Sequence, residues 1–179
     1  MDVFTVAFFG HKKIEESVDL EKCLDEQILR LLARKRRALF LVGCDGDFDQ
    51  LVAKSVHRVR TKYQVDNSDL VMIIPDLSPK YMHRIDNPEY FYAAVEVSIA
   101  ASLERPKYMI QTRNREMIDR ADLILCYLTH ESPIAWKSVQ YAISKGKMVI
   151  NLAEIMAPEE QKEQYKELLG TKKPLKIES

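Results

Sequence analysis

The sequence predicts an α/β domain: a doubly wound, mainly parallel sheet of five strands in the order 3-2-1-4-5, with helices on both faces. Three observations carry this prediction. Short apolar, β-prone runs alternate with amphipathic helical stretches, and glycine or proline stands where most of the runs end. Parallel neighbours also need crossover connections, which are right-handed, so strict alternation dictates helices on both faces.

The first strand is residues 3–9, an apolar run stopped by Gly10. In residues 19–35, Leu20, Leu24, Ile28, Leu31 and Leu32 recur at spacings of three and four, the pattern of an amphipathic helix, which ends in a basic cluster. Residues 38–42 form the second strand, broken at Gly43, and residues 48–63 a helix carrying Leu51, Val52, Val56 and Val59. Residues 70–74 form the third strand, ended by Pro75, which cannot donate to a central ladder. From 76 to 112 the pattern loosens into an aromatic-rich insert with prolines at 79, 88 and 106, in which Phe91, Tyr92, Val95, Ile99 and Leu103 suggest one helix. Residues 123–128 give the fourth strand, 132–145 a helix closing at Gly146, 148–152 the last strand and 158–169 a terminal helix. In such sheets ligands sit beyond the carboxyl ends of the strands where the strand order reverses, so the loops after strands one, two and four matter most.

At 179 residues the chain fits one domain, residues 1–179, and no second is expected. An apolar fraction of 46% with 30% charged residues is ordinary for a globular protein, and no apolar run approaches a membrane span. The first residues read as a strand, not a signal peptide, which makes a cytoplasmic location the expectation. Cys23, Cys44 and Cys126 form no metal or redox motif, and an odd count argues for reduced thiols. His11, His57, His83 and His130 lack metal-ligand spacing, so neither a metal nor a cofactor is expected. Twenty-seven basic residues balance 27 acidic ones. The run Arg34 to Arg37 reads as solvated cations at a helix C-terminus. Small-molecule or protein partners are therefore favoured over nucleic acid and membranes.

Four segments share a further pattern: FFGHKK (8–13), VGCDGDFDQLVA (42–53), RNREMIDRADLILCYLTH (113–130) and YAISKGKMVINL (141–152). In order and spacing they resemble the SLOG superfamily, near its YpsA-like, bacterial and phage branch. The resemblance implies a Rossmann-like fold with a pocket for a nucleotide or nucleotide-derived ligand. Relatives include the LOG enzymes, which cleave N-glycosidic bonds in nucleotides, and proteins similar to sensors or DNA-processing factors.

Ten residues are candidate ligand contacts: Gly10, His11, Gly43, Asp45, Gly46, Asp49, Arg113, Asn114, Thr129 and Ser132. Gly10 lets a ligand approach the backbone or simply makes the turn, and His11 either contacts a base, ribose or phosphate or fills space. The loop from Gly43 to Asp49 precedes a helix, the usual setting for anion binding by free N–H groups. Asp45, Asp47 and Asp49 complicate that reading, because they complement the helix dipole themselves and repel a phosphate, so a ribose hydroxyl suits the loop better. Arg113 and Asn114, entering a short helix, grip a phosphate and a hydroxyl, or else Arg113 pairs with a neighbouring acid while Asn114 caps. Superfamily members carry GG or GGT after the fourth strand, where this chain has Pro133, Ile134 and Ala135. Ser132 and Pro133 instead read as an N-cap and first helical position. The glutamate of the LOG element PGGxGTxxE has no counterpart, since Gln140 and Tyr141 occupy that helix.

No catalytic residue is assigned. The first functional expectation is binding or sensing of a nucleotide-derived ligand, and the second is N-glycosidic hydrolysis or transfer using Asp45 or Asp49. The third is a protein-interaction domain whose pocket Ile134 and Trp136 fill. Tyr81, Tyr90, Phe91, Tyr92 and Tyr108 of the insert form a lid, pack on their own sheet, or present a homodimer face.

Overall fold

β1 (Phe4–Gly10) is buried along its middle, and its side chains alternate between two apolar cores. Val6 and Phe8 enter one, Ala7 and Phe9 the other. A strand covered on both faces needs apolar residues at every position, which is why its sequence lacks polar alternation. The computed structural model describes residues 3–15, 17–85 and 92–170.

After β1 come α1 (Val18–Arg34), β2 (Ala38–Val42), α2 (Asp47–Tyr63), β3 (Ser68–Ile74), α3 (Pro79–Ile85), β4 (Ala94–Val97), α4 (Ile99–Ser102) and α5 (Pro106–Arg120). β5 (Leu123–Tyr127), α6 (Ala135–Ser144), β6 (Met148–Asn151), α7 (Leu152–Met156) and α8 (Glu159–Leu169) complete the order. Among the described residues the strands form one parallel sheet, β4-β3-β2-β1-β5-β6. The five expected strands keep their expected order, and β4 is a sixth, added outside β3.

β4 replaces part of the helix suggested by Tyr92, Val95, Ile99 and Leu103. That spacing buries nothing on a helix: Ile99 is 74% exposed and Leu103 83%. The run Ala94-Val95-Glu96-Val97 instead alternates as a strand. Val95 and Val97 pack on the first core, while Glu96 pairs with Arg120 of α5 at 2.7 Å. Phe91 and Tyr90 lie outside the described residues.

α1, α2 and α7 cover one face with Leu20, Leu24, Ile28, Val52, Val56 and Leu152. α5, α6 and α8 cover the other with Met117, Ile118, Val139, Ala142 and Leu169. Each of these side chains larger than alanine contributes roughly 1.5–3 kcal/mol when fully buried. Polar staples fix the helices laterally. Arg58 donates to both oxygens of Asp25 at 2.7 and 2.8 Å and pairs with Glu21 at 3.2 Å, tying α2 to α1. The Trp136 indole N–H donates to the Leu168 carbonyl at 3.0 Å, docking α8 on α6. No helix among the described residues is long and apolar enough to cross a membrane.

α2 ends at Gln64, whose φ of 52° and ψ of 41° lie in the left-handed region. A side chain there crowds its own carbonyl, and glycine is the usual solution at this position. Gln64→Gly is therefore expected to stabilise the fold by about 0.5–1 kcal/mol in urea unfolding. A decrease would show that the Gln64 side chain contributes more than the backbone relief.

Candidate functional site

β1 pairs with β2 on one side and β5 on the other. The chain leaves β1 toward the α1 face and β5 toward the α6 face. The connections diverge there, and a crevice opens beyond the strand ends at the point where strand order reverses. The crevice is a cavity of about 410 Å³, within the range of small-molecule sites. The loops after β1, β2 and β5 supply most of its wall, as the topology requires. Nine of the ten candidate residues line it: Gly10, His11, Gly43, Asp45, Gly46, Asp49, Arg113, Asn114 and Ser132.

The loop after β2 is organised by Asp49. Its Oδ1 accepts the Gly43 N–H at 3.3 Å, and its Oδ2 accepts the N–H groups of Asp45 at 3.1 Å and Gly46 at 3.3 Å. The amides that sequence alone offered to a ligand anion thus converge on a carboxylate of the chain itself. Burial raises the Asp49 carboxyl above its ordinary range, against the opposing pull of Arg113 and of the Asp45 and Gly46 N–H groups.

Arg113 reaches the same loop from α5, near the middle of that helix and not at the entrance of a short one. It is buried, 3% exposed, and pairs with Asp45 at 3.1 Å. Nη1 also donates to the Ile73 carbonyl at 3.0 Å, and Nε to Asn114 Oδ1 at 3.0 Å. Burial acts against its charge, but Asp45, then Cys44 and Asp49, hold its pKa above the ordinary value. Asn114 passes the connection on, donating to Ser138 Oγ of α6 at 2.9 Å. Of the two sequence readings, pairing with a neighbouring acid is the arrangement present. Asn114 bridges two helices and caps neither.

Gly10 has a packing reason. A Cβ there would stand 2.3 Å from Cγ of Phe48, so the ring of Phe48, and not a ligand, makes the close approach to this backbone. A Cβ on Gly43 would lie 3.0 Å from Arg113 and Asp49, and one on Gly46 2.9 Å from Cα of Lys12. These glycines allow the first two loops and Arg113 to close on one another.

His11 is 5% exposed. The backbone N–H of Thr129 donates to its Nε2 at 2.9 Å, which fixes the neutral tautomer with the proton on Nδ1. Its ring stacks on His130 at 4.0 Å between centroids. Burial, with His130 adding to it, pushes the His11 pKa down to about 4. Thr129 is absent from the cavity wall: its N–H serves His11, and its hydroxyl lies 3.0 Å from His130 Nδ1.

The start of α6 differs from expectation. The helix begins at Ala135 with Ile134 in the cap position, so Ser132 and Pro133 precede it. Ser132 Oγ still accepts the Trp136 N–H at 3.0 Å. Ile134 lines the cavity, but Trp136 turns to α8, and the crevice remains open. Asp49, one candidate acid for N-glycosidic chemistry, has both oxygens engaged by backbone N–H groups. Among the described residues no cluster of three or more metal-ligating side chains occurs.

Sequence reasoning missed several wall residues. Lys12 and Phe48 stood inside quoted motifs, whereas Lys80 of α3 and Ile110 of α5 come from the insert, where no motif marks them. The insert also packs inward: Tyr81 is 5% exposed and Tyr92 joins the first core, while Tyr108 is exposed.

No protein family and no curated protein matches the sequence. Solved structures do share its fold. DNA processing protein A (DprA) from Streptococcus pneumoniae aligns with a TM-score of 0.58 at 14% identity, over 83% of this chain and 50% of that one. DprA from Helicobacter pylori, described for its single-stranded DNA binding mode, gives 0.59 at 13% identity over 83% and 64%. The molybdenum cofactor carrier protein from Chlamydomonas reinhardtii gives 0.53 at 11% identity over 93% and 85%. The chain thus spans between 50% and 64% of the DprA chains. At these identities the likeness shows the fold alone, a Rossmann-like α/β fold.

One expectation is corrected by these neighbours. Balanced charge and the solvated Arg34 to Arg37 run set nucleic acid aside as a partner, yet a protein of this fold has a single-stranded DNA binding mode. Net charge reports the long-range field and not what a crevice admits, so it gives no ground for that exclusion.

Removing the Asp49 carboxylate leaves three loop N–H groups, those of Gly43, Asp45 and Gly46, without their acceptor. Asp49→Ala is expected to cost about 2–4 kcal/mol in urea unfolding; an unchanged midpoint would refute this account of the loop. His11 makes stability depend on pH with a defined sign. Its folded pKa lies below its ordinary 6.5, so its contribution is complete above that pH and is lost as pH falls toward about 4. His11→Gln, which keeps an acceptor for Thr129, should flatten the loss of stability across that window; an identical pH profile would show that His11 is not held neutral.

Proposed function

We propose that the crevice binds a nucleotide-derived ligand, in a binding or sensing role. One observation carries this reading: a preformed cavity at the strand-order reversal of a parallel sheet, whose wall gathers nine of ten residues chosen from sequence. Four polar side chains of that wall, His11, Asp49, Arg113 and Asn114, are held in place by other protein groups, as a site that orients a small ligand requires. The fold is shared with solved proteins described by a single-stranded DNA binding mode or as a molybdenum cofactor carrier, which supports a ligand-binding role. The pinned oxygens of Asp49 favour binding over N-glycosidic chemistry through that residue.

The test is a thermal-shift series with nucleosides, mono- and dinucleotides, cyclic nucleotides, ADP-ribose and a short single-stranded oligonucleotide. A ligand at a hundred times its Kd stabilises the native state by about 2.7 kcal/mol. In a chain of this length that raises Tm by roughly 5–10 °C. No shift with any of these compounds at millimolar concentration would remove the reading.

A further inference from the structure

We infer that the cavity encloses the uncharged nucleoside part of its ligand, ring and sugar, and leaves any phosphate outside at the mouth. The inference rests on the nucleotide reading above and narrows it to the buried moiety.

The first argument concerns donors. A phosphate seated at a loop-to-helix junction needs converging N–H groups, usually with a cation. Here the N–H groups of Gly43, Asp45 and Gly46 already converge on Asp49. Arg113 is engaged by Asp45, the Ile73 carbonyl and Asn114. At the third loop Pro133 has no N–H, and Ser132 takes the Trp136 N–H. An entering phosphate would have to displace a carboxylate held by three backbone bonds and then lie beside it.

The second argument concerns what remains. Oδ2 of Asp45 faces Arg113, while its Oδ1 has no partner among the described residues. A carboxylate oxygen in this state accepts a sugar hydroxyl and repels a phosphate. Nδ1 of His11, which carries the proton, also lacks a partner there and can donate to a ring nitrogen or carbonyl. Phe9, Phe48, Ile110 and Ile134 give the wall apolar faces that suit a planar ring. The lysines of the wall, Lys12 and Lys80, are exposed residues, which places cationic contact at the solvent side.

Isothermal titration of the full chain with adenosine, guanosine, cytidine and uridine, each beside its 5′-monophosphate, tests the inference. The expected result is a nucleoside whose Kd lies within about fivefold of that of its monophosphate, with inorganic phosphate failing to compete. Asp45→Asn should weaken both forms. A monophosphate bound more than about fivefold tighter than its nucleoside overturns the inference, as does selective strengthening of the monophosphate by Asp45→Asn. Binding by phosphorylated forms alone, mononucleotide or oligonucleotide, also overturns it but leaves the nucleotide reading standing. Absence of binding by every nucleoside, nucleotide and oligonucleotide removes that reading, and this inference with it.

Discussion

The site depends on one carboxylate. Asp49 stands in the first turn of α2, where a negative charge complements the helix dipole, and it folds back onto three backbone N–H groups of the preceding loop. A loop with two glycines has little conformational preference of its own, so an acceptor shared by three of its amides determines its course. Arg113, buried beneath the loop, pairs with Asp45 and joins the loop to α5 and the end of β3. A guanidinium buried to this degree is tolerated when its donors are paired, and here backbone, carboxylate and amide oxygens all take part. The loop after β2, the helix on one face and the helix on the other are thereby fixed by a single polar knot.

The knot also sets the shape of the crevice. With α2 held at its first turn, Phe48 is delivered against Gly10, where a Cβ would collide with its ring. The β1 loop then lies against Gly46, and the Asp47 N–H donates to the Lys12 carbonyl at 2.9 Å. On the far side Asn151 bonds both the N–H and the carbonyl of Leu128, and the next amide, that of Thr129, orients His11. Three separate chain crossings are locked by backbone-directed bonds, which leave few side-chain torsions to be ordered when a ligand enters.

The legible and illegible parts of this protein divide along physical lines. Strands covered on both faces announce themselves as apolar runs, and alternation with amphipathic helices dictates a doubly wound sheet, so β1, β2, β3, β5 and β6 were readable with their order. β4 was not, because an edge strand of four residues has only two inward side chains, and Val95 fits a helical spacing as well as an alternating one. Most site positions were readable from loops at strand ends, but their partners were not. Whether Arg113 grips a ligand or Asp45 depends on packing between residues far apart in the chain, which local pattern does not encode. Lys80 and Ile110 reach the wall from the insert through tertiary packing alone.

The difference between this crevice and a glycine-rich phosphate loop comes down to where the negative charge resides. In a phosphate loop the amides and the helix dipole are left without an internal acceptor, so the ligand supplies the anion and binding closes the electrostatics. Here Asp49 supplies it in advance, Asp45 pairs the buried cation, and Pro133 withholds a donor from the third loop. The same fold can therefore keep its strand-end crevice while the loops set the charge and polarity of its wall. What this chain offers inside is an acceptor, a neutral histidine and apolar faces. A second anion brought into such a crevice would lose its solvation and meet a carboxylate already in place.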